Sequence, residues 1–99
     1  MNSLIQDLNK VFESRVRLGI MSAVIVNESL DFTSMKESLD VTDGNLASHI
    51  ASLENEGYIK VKKEFVGKKP LTTYSVTASG RRAFTDHLDA LEKLIRKTQ

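Results

Sequence analysis

The chain has 99 residues, 40% apolar and 27% charged, with a net charge of +1 and no cysteine. That length supports one domain around a single modest core, and the absence of cysteine excludes disulfide and thiolate chemistry. No run approaches the roughly 20 apolar residues of a membrane span, and the N-terminus lacks a secretory signal's basic and apolar regions, which suits a cytoplasmic protein.

Leu4, Ile5, Leu8, Val11 and Phe12 recur at helical spacing and predict an amphipathic helix over residues 3–13. A second helix is predicted over 15–28, with Val16, Ile20, Met21, Val24 and Ile25 as its buried stripe. Leu18, Ala23 and Val26 make it apolar on more than one side, as expected of a central core helix. Leu30-Asp31-Phe32 reads as a short edge strand. Thr33 or Ser34 can cap the next helix, 34–39, and Ser34-x-x-Glu37 fits the capping-box pattern. Met35 and Leu39 point inward from it, and Asp40-Val41 makes the turn.

Thr42 suits the N-cap of a helix from 43 to about 56, and Gly57 its C′ position. Leu46, Ile50 and Leu53 form its inner face. Strands are predicted over 58–65 and 71–77, joined by the loop Val66-Gly67-Lys68-Lys69-Pro70. Ile59, Val61 and Phe65 share one face of the first strand, opposite Lys60 and Lys62; Phe65, Tyr58 and Tyr74 suit packing within the hairpin. Thr77 caps a final helix over 78–96, striped by Phe84, Leu88, Leu91 and Ile95. The order α-α-β-α-α-β-β-α over residues 1–99 is an α+β fold, mainly α, in one domain.

The positive charge is confined to one stretch. Residues 1–59 carry 4 Lys/Arg against 9 Asp/Glu, residues 60–82 carry 7 against 1, and residues 83–99 carry 3 of each. The basic stretch begins directly after a helix faced with hydrogen-bonding side chains. Helices 34–39 and 43–56, joined by a short turn, match the helix-turn-helix motif, whose second helix presents N-terminal residues to base edges. The candidates there are Thr42, Gly44, Asn45, Ser48, His49 and Ser52. Asn45 can pair with adenine, Ser48 with several bases, and His49 with guanine or a phosphate. Gly44 admits close approach of the backbone. Asp43 opposes DNA charge but can accept from a cytosine amine or favour the helix dipole. On the hairpin, Lys68 and Lys69 can reach phosphates or the minor groove, with Lys60, Lys62 and Lys63 along the ribbon.

Thr42-Asp43-Gly44-Asn45-Leu46-Ala47-Ser48-His49-Ile50, Gly57-Tyr58-Ile59, Phe65-Val66-Gly67-Lys68-Lys69-Pro70 and Val76-Thr77-x-x-Gly80-Arg81 together resemble the small stand-alone winged-helix transcriptional regulators related to the MarR and ArsR groups. The resemblance covers roughly residues 10–90. It implies a winged helix-turn-helix that binds double-stranded DNA as a homodimer on a near-palindromic operator. Asp40 departs from it, standing where relatives often carry glycine. No effector site comes with it. Apolar stripes on the first and last helices place the dimer contact in residues 3–13 and 83–96.

Enzymatic function is not expected: there is no phosphate loop, nucleophile motif or carboxylate pair. The only histidines, His49 and His87, fall on predicted exposed helix faces, and His87 with Asp86 and Asp89 makes a poor metal set. No cofactor or metal is called for. The main alternative is a winged helix that binds a protein instead of DNA. RNA binding is disfavoured by the lack of exposed aromatic residues for stacking.

Overall fold

Ser14 opens the first α-helix of the structure, its side chain accepting from the Arg17 amide. The computed structural model describes residues 5–97. Its elements are a short 3-10 helix at Lys10–Phe12, α1 (Arg15–Val26), β1 (Leu30–Asp31), α2 (Phe32–Leu39), α3 (Asp43–Asn55), β2 (Ile59–Val66), β3 (Lys69–Val76) and α4 (Ala78–Lys97). The strands form one antiparallel sheet in the order β1-β3-β2. The architecture is a winged helix-turn-helix, as the sequence predicts.

The core is built where α1, α3 and the sheet meet. Ile20, Met21 and Val24 from α1, Met35 from α2, Leu46 and Leu53 from α3, and Phe12 are buried almost completely. Ile50, Ile59 and Phe84 close the cluster. α1 is the central helix, although Val26 at its end is 80% exposed. α2 crosses α1 at Gly19, where an added Cβ would lie 2.8 Å from the Leu39 side chain.

Four local expectations are corrected. The helix over 3–13 is not formed across the described residues: 5–7 are turn, and only Lys10–Phe12 are helical. Residues 3 and 4 lie outside the described residues. Asn9 interrupts the helix. Its side chain caps the 3-10 turn by accepting from the Val11 amide and donates to Tyr58 Oη at 3.2 Å. Its own amide donates to His87 Nδ1 at 3.0 Å. Those bonds fold Phe12 into the chain's own core.

His87 is correspondingly not on an exposed face: it is 4% exposed, with its ring against Phe12. α2 starts earlier than expected, at Phe32, and its cap is Asp31 instead of Thr33 or Ser34. The Asp31 carboxylate accepts from the Ser34 amide, and hydrogen bonding from Ser34 holds its pKa below the ordinary aspartate value. The capping box at Ser34 and Glu37 is not used.

Finally, the hairpin loop is tighter than 66–70. Val66 pairs with Lys69 and Phe65 with Pro70, leaving only Gly67 and Lys68 in the turn. Gly67 has φ +66° and Lys68 stays outside the left-handed region, the pattern of a type II′ turn. Pro70 is tolerated because β1 pairs with β3 only at Thr73 and Tyr74, so near the tip β3 has one neighbour.

Asp40 adopts the left-handed conformation, φ 52° and ψ 55°, at the end of α2, and its amide bonds the Lys36 carbonyl at 2.9 Å. At Gly80 the chain has no room for a side chain, because a Cβ would lie 2.1 Å from the Tyr58 carbonyl oxygen. Gly80→Ala should therefore lower stability by about 2–3 kcal/mol, read from the denaturant midpoint. Asp40→Gly should leave stability unchanged or raise it by up to about 1 kcal/mol, whereas Asp40→Val should lower it by about 1–2 kcal/mol.

Candidate nucleic-acid interface

The second helix of the motif is fixed at both ends by its own sequence. Thr42 Oγ1 accepts from the Asn45 amide at 3.2 Å, capping the N-terminus. At the other end, Gly57 has φ +79°, its amide bonds the Glu54 carbonyl, and the Tyr58 amide bonds the Leu53 carbonyl at 3.0 Å. That pair of bonds is a Schellman motif. A three-residue turn, Asp40 to Thr42, separates α2 from α3. Lys36 reaches across it to Asp43 at 2.6 Å, an exposed pair that offsets the one carboxylate at the front of α3.

With Leu46, Ile50 and Leu53 buried, the opposite face of α3 is open to solvent. Thr42, Gly44, Asn45 and Ser48 are exposed, as are Ala47 and Ala51 between that face and the ribbon. Ser52 is half-buried and donates its hydroxyl back to the Ser48 carbonyl at 3.2 Å, a local bond that competes with outward use. His49 is half-buried on the flank facing α1, with Nδ1 3.4 Å from Arg17 Nη1. Arg17 also donates from Nε to the Val11 carbonyl. His49 is therefore the least free of the α3 candidates.

Gly44 is under none of the constraints that hold the other glycines. A Cβ there would meet nothing within 4 Å. Neither packing nor a positive φ requires glycine at this exposed helical position, where it costs helix stability.

The β2–β3 ribbon is the wing. Side chains alternate across it, so pairing register assigns each lysine a face. Ile59, Val61, Lys63 and Phe65 share one face with Tyr74, Thr72 and Pro70. Lys60, Lys62 and Glu64 share the other. A groove between α3 and the wing is lined by Ala47, Ala51, Glu54, Val61, Lys63 and Thr72, among others. Lys63 thus faces α3, whereas Lys62 lies on the far face, 3.6 Å from Glu64. Lys68 occupies the turn and Lys69 the first pair after it. Along the ribbon the sequence offers Lys62 and Lys63 together and favours Lys62, but only Lys63 lines the groove, with Ala47 and Ala51, and Lys36 is not among its candidates. The period-two alternation identifies Lys63 once the register is known, but nothing local announces Lys36.

Contrary to expectation, Phe65 is not buried within the hairpin and is 73% exposed. Tyr58 and Tyr74 do pack, flanking the core. Burial and the Glu54 carboxylate push the Tyr74 phenol above its ordinary pKa. Among the described residues, no group of three or more His, Asp or Glu is placed to hold a metal ion, and no helix is long and apolar enough to cross a membrane.

A capped helix with an outward polar face, joined to a basic two-stranded ribbon, defines the winged-helix class. The chain belongs to the winged helix DNA-binding domain family, whose profile matches residues 16–95. An uncharacterized protein of Methanocaldococcus jannaschii is 35% identical over 79 residues, 80% of this chain and 86% of that protein. The structure of a transcriptional regulator homologue protein from Pyrococcus horikoshii OT3 matches with a TM-score of 0.77 and 29% identity, over 91% of this chain and 94% of its own. A MarR-family transcriptional regulator from Silicibacter pomeroyi shares the fold, with a TM-score of 0.70 at 12% identity, over 96% of this chain and 63% of its own. The family is one of DNA-binding domains and not of enzymes.

Gly44→Ala should raise stability by up to about 1 kcal/mol, since alanine is the better helix former and has open space. The same variant should bind duplex DNA more weakly than the wild type in a fluorescence-anisotropy titration. The Lys36–Asp43 pair should show a coupling of only about 0.2–1 kcal/mol in a double-mutant cycle, because both groups are exposed.

Proposed function

We propose that the protein is a sequence-specific transcriptional regulator that grips double-stranded DNA between α3 and the wing. α3 enters the major groove, with Asn45 and Ser48 reading base edges and the Gly44 backbone close to the duplex. Thr42 sits beside the helix N-terminus, where backbone amides favour a phosphate. Lys68, Lys69 and Lys63 neutralise phosphates beside the groove or enter the adjacent minor groove. Lys62, Ser52 and His49 belong to the outer edge of this surface. The observation that carries the reading is the pairing of an outward polar helix face with a ribbon that turns Lys63 into the same groove and carries Lys68 and Lys69 at its tip.

The regulator acts as a homodimer on a near-palindromic site. Half-sites about 34–36 Å apart need two copies of α3. α4 supplies the contact: it runs 20 residues, about 30 Å, and Leu88 is 47% exposed beside half-buried Leu91 and Leu94. Of residues 3–13, Phe12 already serves the chain's own core, so the weight of the contact falls on 83–96. A winged helix devoted to a protein partner is less well supported, because the outward surface carries lysines that suit phosphates better than an apolar contact.

Selection of bound sequences from a random duplex pool should return an inverted repeat. Lys68→Ala with Lys69→Ala should weaken binding to all duplexes and flatten the log K against log salt slope by up to about two units. An unchanged slope would remove the wing from the interface. Lys63→Ala should flatten the slope by about one unit, and Lys62→Ala by less. Asn45→Ala or Ser48→Ala should cost about 1–3 kcal/mol on the selected site for each base-edge hydrogen bond removed. Equal losses on random DNA would assign those residues to positioning alone.

A further inference from the structure

Phe65 is the least expected feature of the wing. A phenylalanine 73% exposed lies two residues from the turn, with Val66 beside it at 62% and Pro70 directly across the ribbon. Among the described residues its ring meets no other aromatic ring. The alternation that turns Ile59 into the core and Val61 and Lys63 into the groove puts Phe65 on that same α3-facing side, one step nearer the tip. The ring therefore ends the face of the wing that looks toward the proposed duplex.

We infer that Phe65, backed by Pro70, is an apolar wedge that the wing inserts into the minor groove of bound duplex DNA, unstacking a base step and kinking the helix. This rests on the duplex-binding reading above and adds a deformation to it. Apolar side chains placed this way part base steps and bend DNA by about 20–90° toward the major groove. The charges around the ring choose the occupant. Lys63 precedes it on the same face and Lys68 sits in the turn beyond it, so a partner touching the ring lies between two ammonium groups, with Lys69 on the opposite face at the closing pair. The phosphates that border a minor groove supply that negative charge on both sides of an apolar stack of bases. Glu64, the ribbon's single carboxylate, points to the opposite face and is paired with Lys62.

The wedge adds specificity at base pairs no side chain hydrogen-bonds. Flexible pyrimidine–purine steps part more easily than stiff A-tracts. A site with such a step beneath the wing is bound more tightly than one without.

The test uses the full chain and a duplex recovered by selection from a random pool, labelled at both ends as an energy-transfer pair. The wild type should shorten the end-to-end distance on binding. Phe65→Ala should keep the thermal unfolding midpoint and the salt slope, because the ring is exposed and the lysines remain. It should lose the bend and bind about tenfold more weakly, with Phe65→Leu intermediate. If Phe65→Ala bends and binds as the wild type does, the wedge is refuted while duplex binding stands. If the wild type binds without bending, the wedge is likewise refuted. If Phe65→Ala instead lowers the sedimentation mass, the ring lies between copies of the chain and the inference fails. If no duplex binds the wild type at all, the wedge falls together with the function it rests on.

Discussion

Everything in this molecule depends on one joint, the residues Gly57 and Tyr58. Only three residues separate the end of α3 from the start of β2, so any looseness there would uncouple the helix from the wing. The joint is held from three sides. The Schellman bonds fix its approach from α3. The Thr77 amide donates to the Tyr58 carbonyl at 3.0 Å, and the Thr77 hydroxyl donates to the Gly57 carbonyl. The same hydroxyl accepts from the Gly80 amide at 2.9 Å, which starts α4. One threonine thus ties the end of α3, the root of the wing and the head of the last helix. The missing side chain at Gly80 lets them approach.

That joint also links the far ends of the chain. Tyr58 Oη receives the Asn9 side-chain amide, while the Asn9 backbone amide bonds His87 on α4. The N-terminal segment is thereby strapped over the helix–wing junction, with Phe12 tilted against Tyr58 and edge-on to Phe84. A buried neutral imidazole accepting a backbone N–H at Nδ1 carries its own proton on Nε2. Its place is structural, inside the fold and away from the outward face of α3.

Much of this is legible in the sequence alone. Thr42, the Leu46–Ile50–Leu53 spacing and Gly57 delimit α3 because each signal is local: a cap, a period and a left-handed stop. The wing and α4 follow from the same kind of signal, alternation across Tyr74 and Val76 and the cap at Thr77. The failures share a different cause. Leu8, Val11 and Phe12 carry helical spacing, but Asn9 finds partners on Tyr58 and His87, far away in sequence, and tertiary bonds outweigh propensity there. His87 reads as exposed for the same reason. Asp31 displaces Ser34 as the cap because its pairing with Thr73 in the sheet fixes where α2 can start. For Phe65, alternation gives the face but not the point at which the ribbon outruns the core.

Whether α3 and the wing form one rigid surface for a duplex can be read from an amide chemical-shift map of the isotope-labelled chain titrated with a selected duplex. Concerted shifts are expected at Gly44, Asn45 and Ser48 and at Lys63, Lys68 and Lys69, saturating at the same concentration. Shifts limited to one of the two groups, or centred on α4, would contradict a single surface.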